Sequence, residues 1–452
     1  MFSLLKKYNF FLILFILFLF STFFWWYFFG GFNLGNDGDQ YNELALSMLN
    51  DGSFSINGEI SMMREPGYPF FIYLIYQLFG VSIFIVCVFQ AFIHFAIVLL
   101  TYYLTDKIFN KKIARISSIL VILFPNLYIL SSTLLSEVFA CFLVMMFFLF
   151  YYLAQRKNAN IFFALASLFL GGLVLVKSMF ALFVIFVVII IFLNEKSVVK
   201  KFGYKKPLLM FLFFALVVFP WIARSYTHFN EVSIASRGGN MIYTRALKNL
   251  YSFDESLKYT ISVLSGEYIV RRYIDNNYIF EESWADSSGL NAFTDNINNS
   301  EDKNNYDKLD ILMRQESKRL ILEHPFKYLY YGIVEISNLN SPMIYQEKHF
   351  SIFHDNIYSN TFVKVLCILI MRLIWLIFLS MAIYGIINIV VKRKKNAYIF
   401  VLMIFYVNGI LFFLQGNPRF LIPIFPIYLI LASFGFCKII NKCHIKLLKK
   451  IC

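Results

Sequence analysis

Eight charged side chains lie where a mostly apolar chain changes character, and their types limit the chemistry open to it. Asp37, Asp39 and Glu43 crowd into one short polar stretch that Arg64 closes. Carboxylates this close together can take a proton, supply oxygen ligands to Mg²⁺ or Mn²⁺, or cap a helix, and no fixed carboxylate pattern forces the metal. Glu137, Lys177, Arg224 and Arg419 each stand at the end of an apolar run. A charge at the centre of a bilayer costs about 2.5–3.5 kcal/mol on insertion scales, so such residues mark function when deep and snorkel to headgroups when near an end. His94 is the main ionisable group within an apolar run, where a lone imidazole is more often a hydrogen-bonded packing residue than a relay. His349, His354 and Asp355 form a loose cluster that reads as surface rather than as metal ligands.

The elements that must position these groups are apolar helices. Of 452 residues, 59% are hydrophobic and 15% charged, against about 45–50% and about 25% in soluble chains. The excess must face lipid, which excludes disordered, fibrous, disulfide-scaffold and ordinary soluble-enzyme classes. A crossing takes about 20 residues because backbone polar groups must be satisfied internally in hydrocarbon. About ten runs qualify: 9–30, 82–105, 115–134, 136–154, 160–176, 178–194, 207–224, 362–391, 397–414 and 420–437. The first has the basic start of a signal peptide but ends in bulky aromatics without a small-residue cleavage site, so it reads as a retained span.

The expected fold class is therefore an all-α polytopic membrane protein. Residues 1–224 form an N-terminal transmembrane module, with a first loop at 31–81 of amphipathic helices; Leu44, Met48 and Leu49 share one face at helical spacing. Residues 225–360 are the one soluble-looking stretch, long enough for a small, mainly helical subdomain, and 361–452 return to the membrane and end in a basic tail. Asn298-Asn299-Ser300 in that stretch is a sequon, to which little weight attaches. The net charge of +14 comes from Lys and Arg gathered between spans (Lys6, Lys7; Lys107 to Arg115; Lys392 to Lys395; Lys438 to Lys450). That placement is a cytoplasmic-loop pattern, not a nucleic-acid surface. It puts both termini in the cytoplasm and the first loop, with the subdomain, outside. The six cysteines show no metal-ligand spacing.

The order of motifs resembles the GT-C glycosyltransferases, and within them the protein O-mannosyltransferase and aminoarabinose-transferase group. Asp37 stands four positions before Tyr41, and Arg64-Glu65-Pro66-Gly67-Tyr68-Pro69 opens an apolar stretch closed by Phe79-Gly80. Leu134-Leu135-Ser136-Glu137, the run Gly171-Gly172-Leu173 through Lys177, and Pro220-Trp221-Ile222-Ala223-Arg224 with Gly238-Gly239-Asn240 follow in the family's order. Glu323 to Leu329 and Arg419-Phe420-Leu421-Ile422-Pro423-Ile424-Phe425-Pro426 complete it. Many relatives place a second acid directly after the first; this chain has Gly38 there and its next acid at Asp39.

The resemblance implies transfer of a sugar from a polyprenyl-phosphate donor to a hydroxyl of a glycan, lipid or protein acceptor, outside the membrane. Asp37 takes the place of the catalytic base, with Asp39 a credible substitute. Arg64, Lys177, Arg224 and Arg419 become candidate ligands of the donor phosphate. Glu137, Tyr41 and Tyr68 would orient substrate, and Asp37, Asp39 and Glu43 could hold a divalent cation. A single base without a covalent intermediate implies inversion. A glycan polymerase or ligase would leave the early aspartate unexplained. A flippase or transporter should carry charged or broken helices near the midplane. The richness in Phe, Ile, Lys and Asn hints at a bacterial inner membrane and an undecaprenyl carrier.

Overall fold

The computed structural model describes residues 2–28, 32, 34–196, 205–278, 306–341 and 361–451. The sequon and the cluster of His349, His354 and Asp355 lie outside the described residues. Helix α1 (Phe2–Phe28) leads to α2 (Gly35–Asn50), a hairpin of β1 (Ser55–Ile56) and β2 (Glu59–Ile60), and α3 (Gly67–Phe79). Then come α4 (Ile83–Ile108), α5 (Lys111–Leu123), α6 (Pro125–Ser131), α7 (Glu137–Lys157), α8 (Asn160–Val176), α9 (Phe183–Lys196) and α10 (Lys205–Phe229). Among the described residues five helices follow outside the apolar runs: α11 (Gly238–Leu247), α12 (Phe253–Ser265), α13 (Glu267–Tyr273), α14 (Tyr306–Glu323) and α15 (Pro325–Leu339). Helices α16 (Thr361–Val391), α17 (Tyr398–Phe413) and α18 (Phe425–Ile451) close the chain.

Each of the ten apolar runs carries helix, and the chain is an integral membrane protein. Among the described residues seven helices are long and apolar enough to cross a membrane. The run 115–134 is not one straight span but α5 and α6, bent by 51°. Pro125 explains the break, since it lacks an N–H and restricts Phe124 to extended backbone. Helix α8 and the segment Ser178–Phe192 are shorter than the other crossings.

The apolar side chains that pack inside the bundle form one continuous core that reaches from α1 to α18. His94 lies fully buried in it between Phe18 and Tyr128, and neither ring nitrogen has a protein partner. It is a packing residue, though not a hydrogen-bonded one. Arg372, which the sequence reading passes over, lies within α16 and donates to the carbonyls of Val263 and Leu264 at the C-terminal end of α12. A cation there meets the negative end of a helix dipole, so the charge ties the outer helices to the membrane bundle.

Helices α16 and α18 approach through glycine. A Cβ added at Gly385 would collide with the Leu431 carbonyl, and one at Gly435 with the carbonyl of Met381. Small residues let membrane helices pack backbone to backbone, where apolar side chains would gain nothing over lipid. Gly435→Val should therefore destabilise the detergent-solubilised protein by about 1–3 kcal/mol, the range typical of overpacking, and so lower its thermal midpoint. Gly172→Ala, where nothing lies within 4 Å of the added carbon, should leave it unchanged. Equal midpoints for the two variants would show that the glycine contact does not hold α16 to α18.

Candidate functional site

The site is assembled by four segments far apart in the chain. Helix α2 starts at Gly35, so Asp37 lies inside its first turn and makes no cap; Asp37, Gln40 and Tyr41 share one face at helical spacing. The hairpin returns the chain toward α2 through Asn57-Gly58, both at positive φ (51° and 79°), as a tight hairpin turn requires. Arg64 follows it. Glu137 opens α7, Lys177 ends α8, and Arg419 sits in the 3-10 turn Pro418–Ile424 ahead of α18.

These side chains form one chain of ion pairs. Arg64 Nη2 lies 2.5 Å from Asp37 Oδ1, and its Nε donates to Gln40 Oε1 at 2.6 Å. Arg419 Nη1 lies 2.7 Å from Asp37 Oδ2, while its Nε donates to Glu137 Oε1 at 2.7 Å. Lys177 Nζ reaches the same Glu137 oxygen at 2.8 Å. Three cations thus meet two carboxylates in direct contact, and a third carboxylate, Glu65 beside the turn after Lys177, acts on Lys177 and Arg64 through space, so the charges balance. The inner end is closed, with the Glu137 side chain at 0% exposure, whereas Asp37 and Arg419 keep 21% and 24%. A ligand would therefore meet the Asp37 and Arg419 end. Three buried atoms here, Arg64 Nη1, Glu137 Oε2 and Ser136 Oγ, have no hydrogen-bond partner in the protein. Buried polar groups left unpaired are costly, and these three remain able to hydrogen-bond a polar ligand.

The remaining candidates fall into supporting places. Tyr41 is buried under the Arg64 guanidinium, 5.0 Å from its ring centre, and packs edge-on against Tyr68 at 5.0 Å. Tyr68 is fully buried and donates to Gln90 Oε1 at 2.9 Å, so it backs the site rather than lining it. Asp39 is exposed, and two residues along a helix it points about 200° away from Asp37. Gly38 between them is buried, and a Cβ there would lie 3.1 Å from the Leu134 carbonyl oxygen, so α2 lies close on the segment leading to Glu137. Arg224 stands apart from the ion-pair chain. Its guanidinium donates to the carbonyls of Phe54 (3.2 Å) and Ser61 (3.4 Å) and stacks on Trp221 at 4.4 Å, which pins the hairpin to α10.

The carboxylates do not fit a divalent cation. Both oxygens of Asp37 face guanidinium groups, and Glu43 accepts from the Asn57 N–H at 2.6 Å. Among the described residues no three His, Cys, Asp or Glu side chains converge on a point that could hold a metal.

Gln40 and Glu65 were not among the sequence candidates. Gln40 was signalled only by its helical spacing from Asp37, and Glu65, which accepts from the Ser178 hydroxyl at 2.9 Å and thereby steadies the turn after Lys177, by nothing local.

A large apolar cavity of about 960 Å³ opens between α15, α16 and α17, lined by residues that include Ile336, Trp375, Leu379, Phe412 and Phe413 and by none of the ion-paired residues. Phe413 ends α17, six residues before Arg419.

The family model described as dolichyl-phosphate-mannose-protein mannosyltransferase matches residues 64–223, which contain Arg64, Glu137 and Lys177. Among solved structures, the oligosaccharyltransferase of Archaeoglobus fulgidus in its apo form superposes with a TM-score of 0.53 at 13% identity, over 99% of this chain and 52% of that chain. AglB from the same organism, in complex with an inhibitory peptide and a dolichol-phosphate, gives 0.50 at 13% identity over the same shares, 99% and 52%. ArnT from Cupriavidus metallidurans, bound to undecaprenyl phosphate, is a weaker likeness, with 0.40 at 11% identity over 95% of this chain and 76% of that chain. The chain spans about half the length of the oligosaccharyltransferases it matches. No curated relative matches it by sequence. The chain shares the fold of the archaeal oligosaccharyltransferase, and the segment 64–223 is similar to the protein mannosyltransferase family.

Burial alone would raise the Asp37 carboxyl, but the charges of Arg419 and Arg64 more than offset it and bring it from 3.8 down to about 2. A carboxylate depressed by folding adds stability that is present above its unfolded pKa and lost as pH falls through the folded one, here from 3.8 down to about 2. In infrared difference spectra against Asp37→Asn, the Asp37 carboxylate band should persist at about pH 3. Protonation with a midpoint near the ordinary 3.8 would mean that the two arginines do not hold the group.

Proposed function

We propose that the chain is a membrane glycosyltransferase that moves a sugar from a polyprenyl-phosphate donor to an acceptor hydroxyl at the extracytoplasmic border, with Asp37 as base and inversion at the anomeric carbon. The observation that carries this reading is the meeting of Asp37, near the start of the chain, with Arg64 and Arg419 in one partly open cluster. The complex of AglB with an inhibitory peptide and a dolichol-phosphate supports a lipid-phosphate donor and leaves the acceptor class open.

In the proposed step the acceptor O–H gives its proton to an Asp37 oxygen as its own oxygen bonds to the anomeric carbon. The bond from that carbon to the phosphate oxygen breaks, and polyprenyl phosphate leaves with the electron pair. Arg64 and Arg419 offer planar forks suited to phosphate oxygens, and Lys177 adds a point charge behind them. A carboxylate drawn down to about 2 accepts a proton poorly. Phosphate competes for the same guanidinium donors, and each hydrogen bond that moves from Asp37 to phosphate raises the basicity of the carboxylate. The partly exposed guanidinium of Arg419 offers donors to the anion, and the apolar cavity beside α17 suits a polyprenyl tail. The sidedness is read from charge: Arg156 and Lys157 stand in the last turn of α7, at the opposite end from Glu137.

Purified protein incubated with a panel of polyprenyl-phosphate sugars should consume one of them. Asp37→Asn should lower that consumption about 10² to 10⁴-fold, the usual weight of a positioned base. Arg419→Lys should chiefly raise the donor KM. Full activity of Asp37→Asn would remove the base from this reading, and inactivity of the wild type across the panel would remove the reaction.

A further inference from the structure

A second buried ion pair lies outside the proposed reacting groups. Glu335 on α15 is fully buried. Its Oε1 accepts from Lys248 Nζ and, at 2.8 Å, from the Tyr259 hydroxyl, and both partners are buried as well. Lys248 follows α11 directly and Tyr259 lies on α12. The other oxygen, Oε2, accepts from the backbone N–H of Gly416 at 2.7 Å.

Gly416 is bound on both sides. Asn338, one turn beyond Glu335, donates its Nδ2 to the Gly416 carbonyl at 2.6 Å. Tyr328, two turns earlier on the same helix face, donates its hydroxyl to the carbonyl of Phe413. A Cβ at position 416 would collide with the Glu335 carbonyl, so the two backbones are in direct contact. One residue on, Asn417 Oδ1 caps the next turn by accepting from the Arg419 N–H at 2.9 Å. One face of α15 therefore acts as a rail for the non-helical segment that delivers Arg419. A buried carboxylate is costly to desolvate, and an apolar contact would suffice if α15 needed only to pack. A charge-assisted hydrogen bond to one backbone N–H fixes direction as well as distance.

We propose that Glu335 is the positioning residue of Arg419, acting through the Gly416 backbone, so that the helices between α10 and α16 set the phosphate-holding guanidinium. This rests on the reading of Arg419 as a ligand of the donor phosphate. The order of causation is local: Lys248 and Tyr259 hold Glu335, Glu335 and Asn338 hold Gly416, and Asn417 carries the alignment to Arg419.

The test uses the full chain in detergent with two variants. Glu335→Gln weakens the charge-assisted bond, and Asn338→Ala removes the second tie without disturbing the buried ion pair. Glu335→Gln should raise the donor KM about tenfold or more, and Asn338→Ala about threefold to tenfold, with smaller changes in kcat. In an Arg419→Lys background both effects should shrink, because residues acting through one another are not additive. Amide hydrogen exchange over residues 415–420 should quicken in both variants while that of α7 stays at the wild-type rate. Additive losses, or unchanged exchange at 415–420, would overturn the positioning role. A wild type inactive on every donor strikes the transfer reading instead, and the exchange measurement still decides whether Glu335 holds the segment.

Discussion

Charges taken out of water must find one another or a ligand, and in this protein that requirement organises the end of the bundle where the chain's distant parts meet. Glu137 has no exposure at all, so its negative charge is tolerable only because Lys177 and Arg419 lie within 2.8 Å of it. Arg419 then bridges outward to Asp37, and Asp37 to Arg64. Removing either carboxylate would strand a terminal cation, Arg64 or Lys177, without its direct counter-charge, a situation worth several kcal/mol where it has been measured. The network is thus held together electrostatically, and the pair that keeps some exposure, Asp37 and Arg419, sits where the cluster opens.

The membrane architecture was legible because hydrocarbon imposes it: a run of about 20 apolar residues has few alternatives to helix. The charged cluster was legible for a related reason. Asp37, Arg64, Glu137, Lys177 and Arg419 occur where apolar runs end, and ends on one side of a membrane are near one another. What the sequence did not carry was the partner of each charge. Arg224 and Arg419 look alike as basic residues at the boundary of a span, yet one holds backbone carbonyls of a hairpin and the other a pair of carboxylates. Asp37 and Asp39 differ only by the helix turn between them, and that turn became definite only once α2 was found to start at Gly35. The break at Pro125 was visible as a proline but was absorbed into an apolar run.

The same ambiguity explains Arg372. Within an apolar helix a guanidinium reads as a functional charge, but α16 is 31 residues long, and at about 1.5 Å per residue it exceeds a hydrocarbon core of about 30 Å. Arg372 therefore can lie toward one border, where it reaches the carbonyls at the end of α12. Arg224 does comparable work for the hairpin before Arg64. Both arginines join soluble-looking segments to membrane helices. Such ties are what a site needs when its groups arrive on loops, because loops alone would not hold a guanidinium to the tolerance that positioning requires.

Arg419 poses that problem in its sharpest form. Pro418 offers no backbone N–H, and Leu414 to Asn417 run outside helix, so the segment before the arginine cannot be stabilised by its own hydrogen bonds. Its backbone polar groups must be met from outside. Helix α15 meets them at Phe413 and Gly416 through a row of polar side chains on one face, and it is itself fastened by Lys248 and Tyr259. A glycine at 416 is what allows the two backbones to touch. The stretch from 225 to 360, which the sequence marks only as soluble-looking, therefore has a structural duty toward the membrane bundle. Its helices complete the support of a residue that stands more than a hundred positions further along the chain from Lys248 and Tyr259, and changes among them can reach the ion-pair cluster without touching it.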